Sequence, residues 1–269
     1  MMLTGNGDKG ADARMNNADI FRIALAQSAE DIGCTAEDFL KTENVIVPFH
    51  LGEGARKYYR LPISANLVSY GSNVVAAATD DVRETVTEYV NRFGFYHLFE
   101  TPSLNWFSDR LAEADCRVCF MAEYFLPDMR RLREQPCEYE LRLLEPPAFD
   151  ALYLPEWGNA LSGAHRELDV LGAGAYDRGR LVGLAACSAD CGTMWQIGVD
   201  VLPEYRRQGI ASALVSRLAG EILRRGKVPF YCSAWSNLRS VRTAVKSGFY
   251  PAWAEMTVKP RCEADRYNE

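Results

Sequence analysis

The sequence predicts a mixed α/β fold: a partly antiparallel sheet flanked by helices, with a smaller α/β part in front of a larger one. Three observations predict it. Short β-rich runs alternate with segments of helical period along the whole chain. Apolar residues recur every fourth position at Ile210, Leu214, Leu218 and Ile222, the pattern of a helix laid on a sheet. The second half also reads strand, helices, three strands, helix, strand, helix, strand, an antiparallel front passing into a crossover unit.

Residues 1–17 (MMLTGNGDKGADARMNN) are polar and glycine-rich and predict a mobile tail. A one-sided stripe of Ile20, Ile23, Ala24, Gln27 and Ala29 predicts a helix over 19–32, and Thr35 with Asp38 suits a capped second one. Val45–Val47 before Pro48 is a short strand, and 66–70 and 73–78 flank Gly71-Ser72 as a hairpin or bend. A helix follows from Asp80 or Asp81 to Arg92, with Gly94 past its end. Pro102 is expected to break the aromatic run 95–106, with a short helix at 108–113 and a strand at 117–125. A boundary is placed near 130–136, so that 18–135 forms an N-terminal α/β domain and 136–260 a second domain, with 261–269 a tail.

In that second part 139–144 is a strand ending at Pro146-Pro147, followed by helical material through Ala160. Strands at 168–176 and 180–189 are joined by Asp177-Arg178-Gly179, a turn that can place glycine at positive φ. A strand at 193–201, the Ile210 helix closed by Gly226, a strand at 228–233, a helix at 237–247 and a last strand at 250–259 complete the chain.

Composition narrows the function. The chain has 269 residues, 48% of them hydrophobic and 25% charged, which fits a globular protein. A net charge of −6 argues against nucleic acid or an anionic membrane as the main partner, and no apolar run is long enough to span a bilayer. A cytoplasmic location follows as the default. Of the eight cysteines, Cys116 and Cys119 have half a zinc site's spacing, but no second pair follows and they sit in an apolar run; core thiols, and no metal, are expected.

One segment carries chemistry: Val199-Asp-Val-Leu-Pro-Glu-Tyr-Arg-Arg-Gln-Gly-Ile-Ala211. A strand ends at Pro203, a basic loop follows, and a helix opens at Gly209. The first turn of such a helix has unpaired N–H groups and a positive dipole end, and glycine lets a phosphate oxygen approach. Arg206 and Arg207 add positive charge to an acidic protein, so a nucleotide pyrophosphate is the natural guest. The plain alternative is an ordinary strand–loop–helix connection with surface arginines. No Gly-x-x-x-x-Gly-Lys-Ser/Thr occurs, and Gly172-Ala-Gly174 lacks the third glycine of a dinucleotide fingerprint.

The run Arg206-Arg-Gln-Gly209-Ile-Ala211 resembles the Arg/Gln-x-x-Gly-x-Gly/Ala signature of the GCN5-related N-acetyltransferases. Trp235-Ser-Asn237-Leu-Arg-Ser240 and Lys246-Ser-Gly248-Phe249 resemble that family's second block, and the 177–183 hairpin its central strands. Four segments in order cover about 139–258 and are similar to a bacterial subgroup with an extra N-terminal α/β region. The resemblance implies that acetyl-CoA is the acetyl donor. By it, the backbone of Val199, Asp200 and Val201 would pair with the pantetheine arm. The loop and helix start (Arg206, Arg207, Gln208, Gly209, Ile210, Ala211, Ser212) would hold the pyrophosphate, and Asn237 and Ser240 would touch the cofactor. Asn237 reads equally well as a plain helix start.

The pattern also departs from the family. The tyrosine that commonly protonates the departing thiolate is Ala244 here, and Ile197 stands near the place of the common glutamate. Tyr231, Tyr250 and Cys232 are possible substitutes for the acid, and Glu156, His165, Asp190 and Asp200 are candidate bases. By the same analogy Glu156, Trp157 and His165 would frame the acceptor amine, although Trp157 also reads as a core residue. The expected activity is direct acetyl transfer to a primary amine of a small molecule or peptide, with a homodimer as a candidate assembly; a non-catalytic acyl-CoA-binding or sensor module is the rival, and transfer from a longer or different acyl donor a third reading.

Overall fold

The computed structural model of the protein describes residues 15–267. Most of the expected tail, residues 1–14, lies outside them, but Asn16 and Asn17 are structured. Asn16 caps helix α1 (Asn17–Ile32): its side chain accepts the Asp19 amide at 3.0 Å, and the Asp19 carboxylate accepts the Asn16 amide at 3.3 Å. The Asn17 side chain donates to Asp128 at 2.8 Å and accepts from the Met129 amide at 2.8 Å, which ties the helix start to the middle of the chain.

Ten strands form one sheet: β1 (Val45–Pro48), β2 (Ala65–Ser69), β3 (Val75–Ala78), β4 (Cys116–Pro127), β5 (Glu140–Leu144), β6 (Asp169–Asp177), β7 (Arg180–Ser188), β8 (Met194–Val201), β9 (Val228–Ser233) and β10 (Phe249–Pro260). Their order is β1-β3-β2-β10-β4-β9-β8-β7-β6-β5. The fold class is mixed α/β, as the alternation of elements implies. The expected boundary at 130–136 does not divide the sheet, however. β10, from the end of the chain, lies antiparallel between β2 and β4, and β4 lies between β10 and β9. The long strands β4 and β10 each carry two rows of backbone polar groups, and each row finds a partner only because the two parts interleave.

Helices α2 (Arg83–Arg92), α3 (Thr101–Glu113), α4 (Ile210–Arg224) and α5 (Leu238–Lys246) cover one face. Helix α1 and the 146–168 connection cover the other. Four expectations are corrected. Pro102 opens α3 instead of breaking it, because proline costs nothing in a first turn where its missing N–H has no partner. Thr35 and Asp38 form their reciprocal cap around a 3₁₀ turn, Ala36–Leu40, not an α-helix. Prolines 146, 147 and 155 restrict the 146–160 stretch to 3₁₀ turns. The expected C-terminal tail contains helix α6 (Arg261–Asp265), held by the Arg261 amide on the Asp115 carbonyl at 2.8 Å and Arg117 on Asp265 at 2.9 Å.

The interleaved region has an ionic centre. Arg56 is 2% exposed, and its Nε donates to Asp31 of α1 at 2.5 Å while Nη2 donates to Glu255 of β10 at 2.8 Å. Tyr59 and Trp253 also donate to Glu255, each at 2.7 Å. Burial drives both carboxylates toward protonation. At Glu255 the charge of Arg56 overrides it and holds the group low, whereas Asp31 stays raised.

Replacing Arg56 with Met leaves two buried carboxylates without a cation, and chemical denaturation at neutral pH is expected to show a loss of about 3–5 kcal/mol. In the variant both carboxylates have folded pKa values above their unfolded ones, so its deficit shrinks as pH falls from neutral toward about 4. A deficit that is independent of pH would contradict this assignment.

Candidate functional site

β8 and β9 run parallel, but their pairing covers only Met194–Ile197 against Val228–Tyr231. Beyond that point β8 continues with Gly198–Val201 hydrogen-bonded to β7 alone, while β9 continues with Cys232 and Ser233 against β4. The strands part, and the edge of Val199, Asp200 and Val201 that has no strand partner lines the opening. Tyr231, in the last pair, marks its apex.

The β8-to-α4 connection closes one end. Arg207 has φ +66° and Gly209 φ +84°, and at Gly209 the left-handed backbone is natural because no Cβ is present. Gly209 is the N-cap of α4, and no side chain caps the first turn. The Ala213 amide and Ser212 hydroxyl both bond the Gly209 carbonyl, at 3.1 and 2.9 Å, so the amides of Ile210, Ala211 and Ser212 are the orphan donors. The loop is braced from below: Tyr139 donates to the Gln208 side chain at 2.5 Å, Tyr205 to Asp177 at 2.9 Å and Arg180 to Glu204 at 3.0 Å. Arg206 turns back to donate to the Val201 carbonyl at 3.0 Å. Arg207 is exposed and forms no ion pair among the described residues.

Sequence reasoning missed a second cation here. The Lys246 ammonium lies 3.7 Å from the position a Cβ on Gly209 would take, is exposed, and has no carboxylate partner among the described residues. The only signal was that α5 ends just before Gly248, which puts Lys246 in its last turn beside α4.

Asn237 is the N-cap of α5, its side chain accepting the Ser240 amide at 3.3 Å, so in this structure it performs the plain helix-start role. Ser240 itself pairs with the Tyr231 hydroxyl at 2.8 Å. Burial raises the Tyr231 phenol. Burial also pushes the Cys232 thiol up to about 12, which keeps it protonated, and Gln196 donates to its sulfur at 3.1 Å. Tyr250 is raised by burial as well, but sits on β10, beyond β4 from the opening. Ala244 is fully buried in the core beneath α5, where a tyrosine would not fit without repacking.

On the opposite face of β8 the 158–162 loop lies directly on the strand. A Cβ at Gly198 would fall 1.8 Å from the Asn159 carbonyl oxygen, so glycine is required by this approach. The Asp200 carboxylate holds the loop, accepting the Asn159 and Ala160 amides at 2.8 and 2.9 Å and the Asn159 side chain at 2.6 Å, which leaves it little capacity to act as a base. Trp157 is 4% exposed and packs with Phe149, Leu161, Leu184 and Ala186, so its ring offers no open face to an acceptor. Glu156 and His165 are exposed, and neither lines the cavity described next.

Between this loop and the sheet is a cavity of about 220 Å³, lined by residues that include Ser162, Asp169, Ser188, Asp190, Gln196 and Gly198. Asp190 was a sequence candidate; Asp169 was not. Asp169 is 3% exposed and accepts the Ser162 amide at 2.9 Å. Burial raises its carboxyl to about 6, against the pull of the Ser162 amide and the Tyr153 hydroxyl. Cys116 is buried elsewhere, donating to Ser64 at 3.3 Å, and all eight cysteines are free thiols. No helix among the described residues is long and apolar enough to cross a membrane.

The profile of the Acetyltransferase (GNAT) family matches residues 127–249. No curated protein matches the sequence. Similar solved structures include a GCN5-related N-acetyltransferase from Kribbella flavida (14% identity, 74% of this chain and 88% of that one, TM-score 0.47). Another is a GCN5-related N-acetyltransferase-like protein from Streptococcus suis (22% identity, 58% of this chain and 68% of that one, TM-score 0.44). A third is an acetyltransferase of the GNAT family from Colwellia psychrerythraea (16% identity, TM-score 0.42), of which this chain spans 62% of the length, with 59% of its own covered. The matched segment, a little under half of the chain, runs from the end of β4 to the start of β10 and holds the parted strands, the Gly209 turn and α4; this segment is similar to the acetyltransferase (GNAT) family.

Proposed function

We propose that the chain binds acetyl-CoA and transfers its acetyl group by direct attack to a primary amine of a small molecule or peptide. One observation carries this reading: the parting of β8 from β9 at Gly198 leads straight to an uncapped helix start with a glycine in front of it. A slot with a free strand edge suits the amides of a pantetheine arm. A helix start with no side chain over it suits the pyrophosphate, and Arg207 and Lys246 add cations at that end only.

The chain's own groups then have distinct tasks. Val199–Val201 orient the donor, and Ile210, Ala211 and Ser212 amides fix its phosphates. Tyr231 with Ser240 offers a hydroxyl pair at the apex, in place of the tyrosine that Ala244 replaces, from which a proton can reach the departing thiolate. A thiol of pKa about 8.5 leaves with little help, so this contribution is modest. The rival reading, a binding module without turnover, predicts the same affinity and no thiol release.

Calorimetric titration is expected to show binding of acetyl-CoA and none of ATP. Gly209→Glu, folded by circular dichroism, should lose that binding; parent-like affinity would remove the site from the α4 start. Lys246→Ala should weaken acetyl-CoA by about fivefold, with a shallower dependence on salt than the parent. Tyr231→Phe should leave affinity unchanged and lower kcat by about tenfold, less than the roughly hundredfold or more usual for a general acid because the thiolate leaves readily; an unchanged kcat would strip Tyr231 of this role.

A further inference from the structure

We propose that the cavity beneath the 158–162 loop is the acceptor pocket, that it admits the ammonium end of a small cationic amine between Asp169 and Asp190, and that Asp169 takes the proton the amine must lose. The proposal rests on the acyl-CoA reading above and deepens it to a substrate class.

Position is the first support. Gly198 is both a wall of the cavity and the first β8 residue beyond the last β8–β9 pair. The cavity therefore meets the opening at its apex, where the acyl end of a donor lying along Val199–Val201 would arrive. An amine seated against Gly198 approaches from the loop face, opposite α4, so donor and acceptor do not compete for space.

Charge is the second support. Asp169 is 3% exposed, and among the described residues neither it nor Asp190 forms an ion pair. A buried carboxylate without a cation is costly, and a cationic ligand supplies the missing charge. The groups facing Asp169 are the Tyr153 hydroxyl and Ser162 amide from the covering loop, Glu167 from the turn before β6, Asp190 from the β7–β8 loop and the buried Cys187 thiol. Arg166 stacks over the Tyr153 ring at 4.2 Å and makes no ion pair with Asp169. Asp190 is steadied by the Ser188 hydroxyl at 2.9 Å and by the Lys57 amide, which donates to its carbonyl at 3.0 Å. The N-terminal part of the chain thus fixes one side of the pocket.

Size is the third. A cavity of about 220 Å³ is below the range of drug-sized sites, roughly 300–1,000 Å³, and holds on the order of seven water-sized groups. That admits a short alkylamine.

The transfer balances as follows. Asp169 as carboxylate takes one proton from the ammonium. The free amine nitrogen forms a C–N bond to the thioester carbonyl carbon, the C–S bond breaks, the thiolate takes the Tyr231 proton, and the nitrogen's second proton restores it. The products are amide, thiol and the proton that Asp169 returns to solvent. A carboxyl raised to about 6 is a better base than an ordinary aspartate and is ionised at neutral pH.

The test measures thiol release from acetyl-CoA by the full chain with n-butylamine and with 4-aminobutyrate, which adds a carboxylate to the same amine, alongside acetyl-CoA affinity. The parent is expected to use butylamine at least about tenfold better by kcat/KM, because a second negative charge repels the pocket. Asp190→Asn should narrow that ratio to about twofold with acetyl-CoA affinity unchanged. Asp169→Asn should lower kcat by about a hundredfold and abolish the rise in kcat/KM that the parent shows through about pH 6. If acetyl-CoA binds but butylamine is not acetylated, if 4-aminobutyrate is used equally well, or if Asp190→Asn leaves the ratio intact, the pocket is not the acceptor site. If acetyl-CoA does not bind the parent, the donor reading fails and the pocket assignment with it. A pH rise that persists in a folded Asp169→Asn removes Asp169 from the proton's path while leaving the pocket.

Discussion

Two long strands govern the molecule. β4 and β10 lie side by side in the middle of the sheet, antiparallel over nearly their full length, and each pairs with a second strand on its far edge. Backbone groups buried in a sheet must be paired, so the end of the chain cannot settle without its early part and the early part cannot close without the end. The Arg56 centre restates the same dependence in charge, since its carboxylates come from α1 and from β10.

The site inherits its shape from that arrangement. β9 pairs with β4 at the residues where it leaves β8, so the opening forms where β9 passes from one neighbour to the other. The chain is acidic overall, yet the α4 end of the opening has Arg207 and Lys246 and the loop-face cavity has Asp169 and Asp190. On the reading proposed above, one cleft would offer opposite electrostatic ends to an anionic donor and a cationic acceptor, a separation that discourages each from binding in the other's place.

What the sequence reveals and conceals follows from distance along the chain. The Arg206–Ser212 segment was readable because its chemistry is local: strand, turn, glycine and helix start are consecutive. The strands of the second part and the Asp177–Gly179 turn were equally plain. Lys246 was hidden because its nearness to Gly209 depends on how α5 packs against α4. Asp169 was hidden more deeply, since the cavity collects the 158–162 loop, the start of β6, the β7–β8 loop and the middle of β8. Trp157 could be read two ways, as part of an amine cage or as a core residue, and its packing with Phe149, Leu161, Leu184 and Ala186 makes it core, the reading preferred from sequence. The interleaving of β4 and β10 left no local mark, because both read as ordinary amphipathic strands and the charged stretch between the parts looks like a linker.

The separation between β4 and β10 also bears on how the protein comes into being. β4 ends at Pro127 and its partner starts at Phe249, so more than a hundred residues must be made before the two can meet. During synthesis the early part leaves the ribosome first, with β4 lacking its long neighbour β10 until that strand emerges. Contacts between such remote segments form slowly, and an unpaired strand is prone to find the wrong partner in the interval. The opening between β8 and β9, whose β9 side rests on β4, gains the full support of its neighbours only with that late closure.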